Sequence, residues 1–130
     1  MTSTTDGLRE RLLEGLELTP GERLRLARRA QGQTQVRKAT YHRVGLEKYR
    51  GWEEDVGDVP AVELDIDDVS LGELVLVYRH RLGLTYSRLA EKVGMERSQA
   101  HRASTGRRGV EKVVEYLLEE TARRQEQSDA

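Results

Sequence analysis

The sequence contains no cysteine and no phenylalanine, and its 130 residues include one tryptophan and two prolines. Without cysteine the chain has neither a disulfide framework nor a thiolate metal site, which is compatible with a reducing cytoplasm. The shortage of aromatic residues means that a core must be built mainly from Leu, Val and Ala. This composition favours small helical units over a large sheet and makes a deep enzyme cleft unexpected.

Long apolar runs are also missing from the sequence. No stretch approaches the roughly 20 apolar residues that span a bilayer, and the polar start MTSTTDG lacks the charged-then-apolar order of a signal peptide. We therefore expect no membrane partner and a location in the cytoplasm.

The formal net charge of −1 conceals two basic regions. Residues 20–56 carry nine basic and five acidic side chains, and residues 70–109 carry eight basic and three acidic ones. Residues 57–69 carry five acidic side chains and no basic one. Because the local sign of charge governs contact with a polyanion, this pattern leaves nucleic acid open as a partner.

An internal repeat organises the chain, since residues 19–39 align with residues 70–90 without a gap, at an offset of 51. Each copy opens with a capping box, Thr19-x-x-Glu22 or Ser70-x-x-Glu73, which predicts the start of a helix. Pro20 at the first helical position strengthens the first of these starts.

The rest of each copy predicts where that helix ends and how the next begins. Gly32 and Gly83 are typical of the glycine that follows a helix C-terminus, and Thr34 and Thr85 are expected to cap a second, short helix. The residues expected to face inward from the first helix of each copy are Leu24, Leu26, Ala27, Ala30, Val75, Val77, Tyr78 and Leu82.

Helices are also predicted at both ends of the chain. Leu8, Leu12, Leu13 and Leu16 indicate a weak N-terminal helix, and the stretch VEKVVEYLLEE has the spacing of a strong amphipathic helix. We expect this last helix to dock on its own module, with a homodimer face as the alternative. The predicted fold is all-α, with an N-terminal module over 1–56, an acidic linker over 57–69 and a C-terminal module over 70–130.

The order of helix, "GLT", short helix, "VGM" and polar helix in the second copy resembles the Cro and lambda-repressor helix-turn-helix family. Ala90 matches the small residue required where two helices cross, and Gly94 matches the glycine of the turn. The first copy shares the family's "TQ…WE" interval, from Thr34 to Glu53. It departs from the pattern at Lys38 and His42, where Leu is expected, at Arg43, where the turn glycine would be, and at Tyr49, which replaces the usual inward aliphatic residue.

The resemblance implies that helix 86–93 crosses the DNA backbone and that the helix beginning near Arg97 enters the major groove. Two such modules in a short chain resemble the immunity repressors of temperate actinobacterial phages. Together with residue chemistry, since Arg pairs with guanine and Gln with adenine, the resemblance nominates as base-reading residues Glu47, Lys48, Arg50, Arg97, Ser98, Gln99, His101 and Arg102. The nominated phosphate contacts are Gln35, Arg37, Lys38, Arg43, Thr85, Tyr86, Arg88, Arg107 and Arg108.

Other readings of single features are weaker. Tyr49 and Trp52 could stack on bases, but their place in the repeat favours the core. The acidic run Glu63, Asp65, Asp67 and Asp68 lacks the glycine and the final glutamate of an EF-hand loop. The sequence has no HExxH pair, phosphate-binding loop or nucleophile triad, so we expect neither an enzyme nor a cofactor or metal.

The predicted function is sequence-specific binding of double-stranded DNA by a transcriptional repressor. Its two reading helices differ, so we expect an asymmetric operator and a monomer able to use both modules, with a homodimer through the C-terminal helix as a possibility. Two alternatives stay open. One is an excision or architectural factor that bends DNA, and the other is an antitoxin-like protein or adaptor that binds another protein.

Overall fold

A computed structural model of the chain describes residues 4–104 and 108–129, and its regular elements there are helical, which confirms the all-α class. Eight α-helices and one short 3-10 turn, Ile66–Asp68, are present in this part of the chain. The helices are α1 (Thr4–Leu13), α2 (Pro20–Ala30), α3 (Gln35–His42), α4 (Leu46–Glu53), α5 (Leu71–Arg81), α6 (Tyr86–Val93), α7 (Arg97–Ser104) and α8 (Val110–Asp129). None of the helices described is long and apolar enough to cross a membrane.

The chain divides into two compact units whose boundaries differ from those predicted. The central unit is Glu17–Val69, and the terminal unit combines Met1–Leu16 with Ser70–Ala130. The prediction that α1 belongs with residues 20–56 is wrong, because α1 packs against α5 and α8. Leu12 is fully buried there, and the Tyr78 hydroxyl donates a 2.6 Å hydrogen bond to its carbonyl oxygen.

The acidic segment 57–69 was predicted to be a linker, but the structure groups it with the central unit. Val59 and Val62 pack against the core of that unit, so the first half of the segment is anchored by apolar contacts. The four acidic side chains of the run are exposed: Glu63, Asp65, Asp67 and Asp68.

Three helices recur in the two units at the spacing of the sequence repeat. Helices α2, α3 and α4 begin 51 residues before α5, α6 and α7 respectively, and each pair has the same length. Both halves of the predicted capping box are present at Thr19 and Glu22, and the Ser70 hydroxyl accepts from the Glu73 N–H. Thr34 and Thr85 cap α3 and α6, as predicted.

The core of the central unit is built around aromatic residues of α4. Tyr49 is fully buried and Trp52 nearly so, against Leu24 and Ala39, which confirms that these rings serve the core. His42 packs beside both rings, with its ring centroid 6.1 Å from that of Tyr49 and 5.5 Å from that of Trp52. Burial and the nearby Lys38 lower the pKa of His42, so its neutral ring fits this aromatic setting.

Asp55, just after α4, holds the start of α2. Its carboxylate accepts from the Gly21 N–H at 2.7 Å and from the Thr19 hydroxyl at 2.6 Å. A side chain at position 21 would bring its Cβ within 2.6 Å of the Trp52 carbonyl oxygen, so only glycine fits this crossing. Ala30, predicted to face inward, is exposed because it lies in the last turn of α2, beyond this crossing.

The long helix α8 docks on its own unit, as expected. It packs against α1, α5, α6 and α7, and its apolar stripe is buried by these helices at Val110, Val113, Val114 and Leu117. A homodimer built on that stripe would first have to displace α8 from its own unit.

Candidate nucleic-acid interface

The turns that lead into α4 and α7 have the same backbone geometry. Arg43 ends α3 with φ 58° and ψ 42°, and Gly94 ends α6 with φ 71° and ψ 40°. In both turns the next N–H returns to the buried alanine of the preceding helix: Val44 donates to Ala39 at 3.0 Å and Met95 donates to Ala90 at 2.9 Å. Because its φ is positive, Arg43 adopts a left-handed conformation that is strained for a residue with a side chain.

Helix α7 separates small buried residues from exposed polar ones. Ala100 and Ala103 are fully buried, which lets the helix lie close to its neighbours. All five side chains nominated for reading bases on this helix are exposed: Arg97, Ser98, Gln99, His101 and Arg102. The helix carries no acidic residue, so its outer face is basic.

Several of these side chains also make contacts within the terminal unit. The Gln99 side-chain oxygen accepts from the Glu96 N–H at 2.8 Å, and so caps the start of α7. In a bidentate pair with adenine the same oxygen would accept a second hydrogen bond, or Gln99 would have to leave the cap. The Arg102 Nε–H points back to the Ser98 carbonyl oxygen at 3.4 Å.

Helix α4 exposes a shorter polar face. Glu47, Lys48 and Arg50 are exposed, whereas Tyr49, Trp52 and Glu53 are buried. The Lys48 ammonium lies 5.8 Å from the centroid of the Trp52 ring, which restrains its direction. The outer face of α4 is therefore less basic than that of α7.

A chain of four polar side chains crosses the central unit from the core to the surface. Arg28 binds Glu53 with Nε–Oε2 at 2.7 Å and Nη2–Oε1 at 3.2 Å. The Gln35 Nε2–H donates to Glu53 Oε1 at 3.0 Å, and the Gln35 side-chain oxygen accepts from the Arg50 Nε–H at 3.3 Å. Gln35, nominated as a phosphate contact, is thus already engaged inside the protein.

Glu53 stays ionised inside this chain of contacts. Its burial alone would raise its pKa, but the hydrogen bonds from Arg28 and Gln35 and the positive charge of Arg28 outweigh burial and bring the pKa below its usual value. Sequence reasoning nominated neither Arg28 nor Glu53. Two features of the sequence could have pointed to them: the interval from Thr34 to Glu53, and the recurrence of Arg28 as Arg79 in the second copy.

In the terminal unit Arg79 is the counterpart of Arg28, but its side chain has different partners. The Arg79 Nη1–H donates to the Leu84 carbonyl oxygen at 2.7 Å, as the Arg28 Nη1–H donates to Gln33 at 3.1 Å. The guanidinium of Arg79 lies 4.3 Å from the centroid of the Tyr86 ring, and that ring lies 5.0 Å from the His101 ring. Among the residues described, no hydrogen-bond acceptor reaches the buried Nε of Arg79.

Apart from Gln35, the predicted phosphate contacts fall into three groups. Thr85 caps α6, Tyr86 is half-buried beneath Arg79, and the Lys38 ammonium lies 5.1 Å from the exposed Tyr41 ring. Arg107 lies outside the residues that the structure describes. The remaining nominees project from the surface: Arg37, Arg43, Arg88 and Arg108.

In the part of the chain described, no three His, Asp or Glu side chains come together as metal ligands. Comparisons with protein-family models, with curated proteins and with solved structures found no match for this chain. The exposed polar faces of α4 and α7 are the features of this chain that bear most directly on its function.

Proposed function

We propose that this chain is a sequence-specific double-stranded DNA-binding protein with a helix-turn-helix module in each unit, and that it acts as a transcriptional repressor of the phage-immunity type in the cytoplasm. The observation that carries the proposal is the outer face of α7. Its five polar side chains are exposed after a left-handed turn, while its alanines are buried. Exposed Arg and Gln side chains at the start of such a helix suit the edges of bases in the major groove.

The exposed cations outside α7 support the same function. Arg88 on α6 and Arg108 before α8 belong to the terminal unit, and Arg37 and Arg43 belong to the central unit. Such side chains bind phosphates, which supplies affinity and register without reading sequence. An operator occupied in this way blocks polymerase sterically.

The two reading helices expose different residues, Glu47, Lys48 and Arg50 on α4 against the basic face of α7. A single chain that docks both helices therefore reads two unlike half-sites, and the operator is asymmetric. Linking two weak modules in one chain raises their combined affinity through effective concentration.

The test is selection of bound duplexes from random DNA by the purified full chain, followed by titration of the selected duplex and a scrambled one at increasing salt. We expect the selected duplex to bind at least about a thousandfold more tightly. Arg97→Ala should cost roughly tenfold on the selected duplex and little on the scrambled one. Arg88→Ala should weaken both and reduce the salt slope by about 1.

The matched control is Arg11→Ala, which removes an exposed arginine from α1 of the same unit and should leave both affinities unchanged. Selection without enrichment, or binding that ignores Arg97→Ala, would refute the proposal and favour a protein-binding adaptor. A palindromic selected site bound by two chains would refute the asymmetric operator. In a reporter whose promoter overlaps the selected site, transcription should fall when the chain is expressed.

A further inference from the structure

In both units the first residue of one repeated helix, α3 or α6, touches the fifth residue of the next helix, α4 or α7. In the central unit Gln35 begins α3, and its side-chain oxygen accepts from Arg50, the fifth residue of α4. In the terminal unit Tyr86 begins α6, and its ring lies edge-on to His101, the fifth residue of α7. These pairs are related by the repeat offset, since Tyr86 and His101 each lie 51 residues after their counterparts.

A second contact fixes the direction of each of these first residues. Glu53 accepts from the Gln35 Nε2–H, so the amide has one orientation and its oxygen faces Arg50. The Arg79 guanidinium lies against the Tyr86 ring at 4.3 Å, within the range of a cation–π contact. In the terminal unit this support comes from Arg79 of α5, and in the central unit it comes from Glu53, which Arg28 of α2 binds.

We infer that Gln35 and Tyr86 are positioning residues, each of which sets the direction of the base-reading side chain at the fifth position of α4 or α7. This inference rests on the proposed function and names the residues that determine its specificity. Arg50 and His101 are both exposed, so without these partners each would sample several rotamers. A side chain that is held in one direction loses less freedom on binding a base.

The two pairs present different chemistry to DNA. In the central unit the Arg50 Nε–H is occupied by Gln35, which leaves the terminal nitrogens of the guanidinium to donate to guanine. In the terminal unit His101 meets Tyr86 through a ring contact, and a neutral imidazole offers one donor and one acceptor nitrogen. Base preference at the two equivalent positions of the operator should therefore differ.

The first experiment is a double-mutant cycle of Gln35→Ala and Arg50→Ala, with discrimination measured at the base pair that depends on Arg50. Gln35→Ala should reduce discrimination there about fivefold in the wild-type background and less than about twofold in the Arg50→Ala background. Arg37→Ala, an exposed cation on the same helix, is the control and should weaken all sequences alike. Independent effects of Gln35→Ala and Arg50→Ala would overturn the inference.

The second experiment transplants the pair. Tyr86→Gln with His101→Arg should move the base preference of the terminal unit toward that of the central unit, whereas His101→Arg alone should do so at least about threefold less effectively. Equal transfer by the single and double variants would show that the residue at position 86 does not direct the side chain at position 101, and would overturn the inference. Thermal unfolding of each variant identifies any loss of affinity that reflects misfolding.

A measurement without DNA separates this inference from the proposed function. Exchange of the Arg50 Nε–H proton, followed by NMR on the full chain, should be several-fold slower than that of Arg97 and should become equal to it in Gln35→Ala. If the chain binds no DNA sequence selectively, the proposed function fails and the specificity role fails with it. If DNA binding is selective but this proton is unprotected, only the positioning role fails.

Discussion

The guanidinium of Arg28 and the carboxylate of Glu53 form a doubly hydrogen-bonded ion pair between α2 and the end of α4, with distances of 2.7 and 3.2 Å. The Glu53 side chain is 2% exposed, so its charge depends on this partner. The pair ties the candidate reading helix of the central unit to its core.

Removing the Glu53 carboxylate should destabilise the central unit. Glu53→Ala leaves Arg28 without its partner in a largely buried place, and we expect a loss of about 3 kcal/mol in the free energy of unfolding. The neighbouring exposed residue provides the control, since Glu54→Ala should cost less than about 0.5 kcal/mol. Urea unfolding followed by fluorescence of Trp52, the single tryptophan of the chain, measures this unit. Equal effects of the two variants would contradict the role of the pair.

The same carboxylate makes the central unit sensitive to acid. The folded-state pKa of Glu53 lies below its ordinary value of 4.5, so the folded state binds the proton less well than the unfolded state does. The resulting stability is fully present above about pH 4.5 and is lost as the pH falls below that value through the folded pKa. Urea midpoints between pH 3 and 7 should fall less steeply in Glu53→Gln than in the wild type. Parallel curves would show that other groups control acid unfolding.

The two left-handed turns predict opposite effects of substitution. Arg43→Gly should stabilise the central unit by roughly 0.5 to 1 kcal/mol, because relief of backbone strain exceeds the added entropy of the unfolded chain. Gly94→Ala should destabilise the terminal unit by about 1 kcal/mol, and the backbone alone is responsible since nothing lies within 4 Å of a Cβ there. Thermal unfolding checks both signs. Destabilisation by Arg43→Gly would mean that the arginine side chain makes a stabilising contact.

The attachment of α1 to the terminal unit can be tested through one hydroxyl. Tyr78→Phe leaves the buried carbonyl of Leu12 without its 2.6 Å hydrogen bond, and we expect a loss of about 1 to 2 kcal/mol. Tyr116→Phe, at a half-buried position of α8, is the control and should change stability by less than about 0.5 kcal/mol. Amide hydrogen exchange in α1 should accelerate in Tyr78→Phe, while the urea midpoint of the central unit, followed by Trp52 fluorescence, should not change. A shift of the Trp52 transition instead would contradict the observed division into units.

Part of the candidate site could be predicted from residue types alone. The exposure of Arg97, His101 and Arg102 follows from the scarcity of apolar residues in α7, since only its alanines suit a buried face. The capping role of Gln99 and the engagement of Gln35 were not predicted. A side-chain amide bonds to whichever partner the fold brings near it, and the sequence order does not state which partner that is.

The sequence by itself determined the features that depend on neighbouring residues. The caps at Thr19, Thr34, Ser70 and Thr85 were predictable, because each is a contact between residues three apart. The repeat offset of 51 likewise places three helices of each unit, since each copy carries the same local signals.

Only the tertiary structure decided which distant segments meet. Helix α1 lies beside α5 and α8, although its place in the chain suggested that it packs with residues 20–56. Residues 57–69 belong with the central unit, although their composition suggested a linker. Apolar stripes such as the one with Leu8 and Leu12 require burial but do not specify their cover, because the hydrophobic effect is non-directional. The choice among possible covers depends on how well whole surfaces pack, which no short stretch of sequence contains.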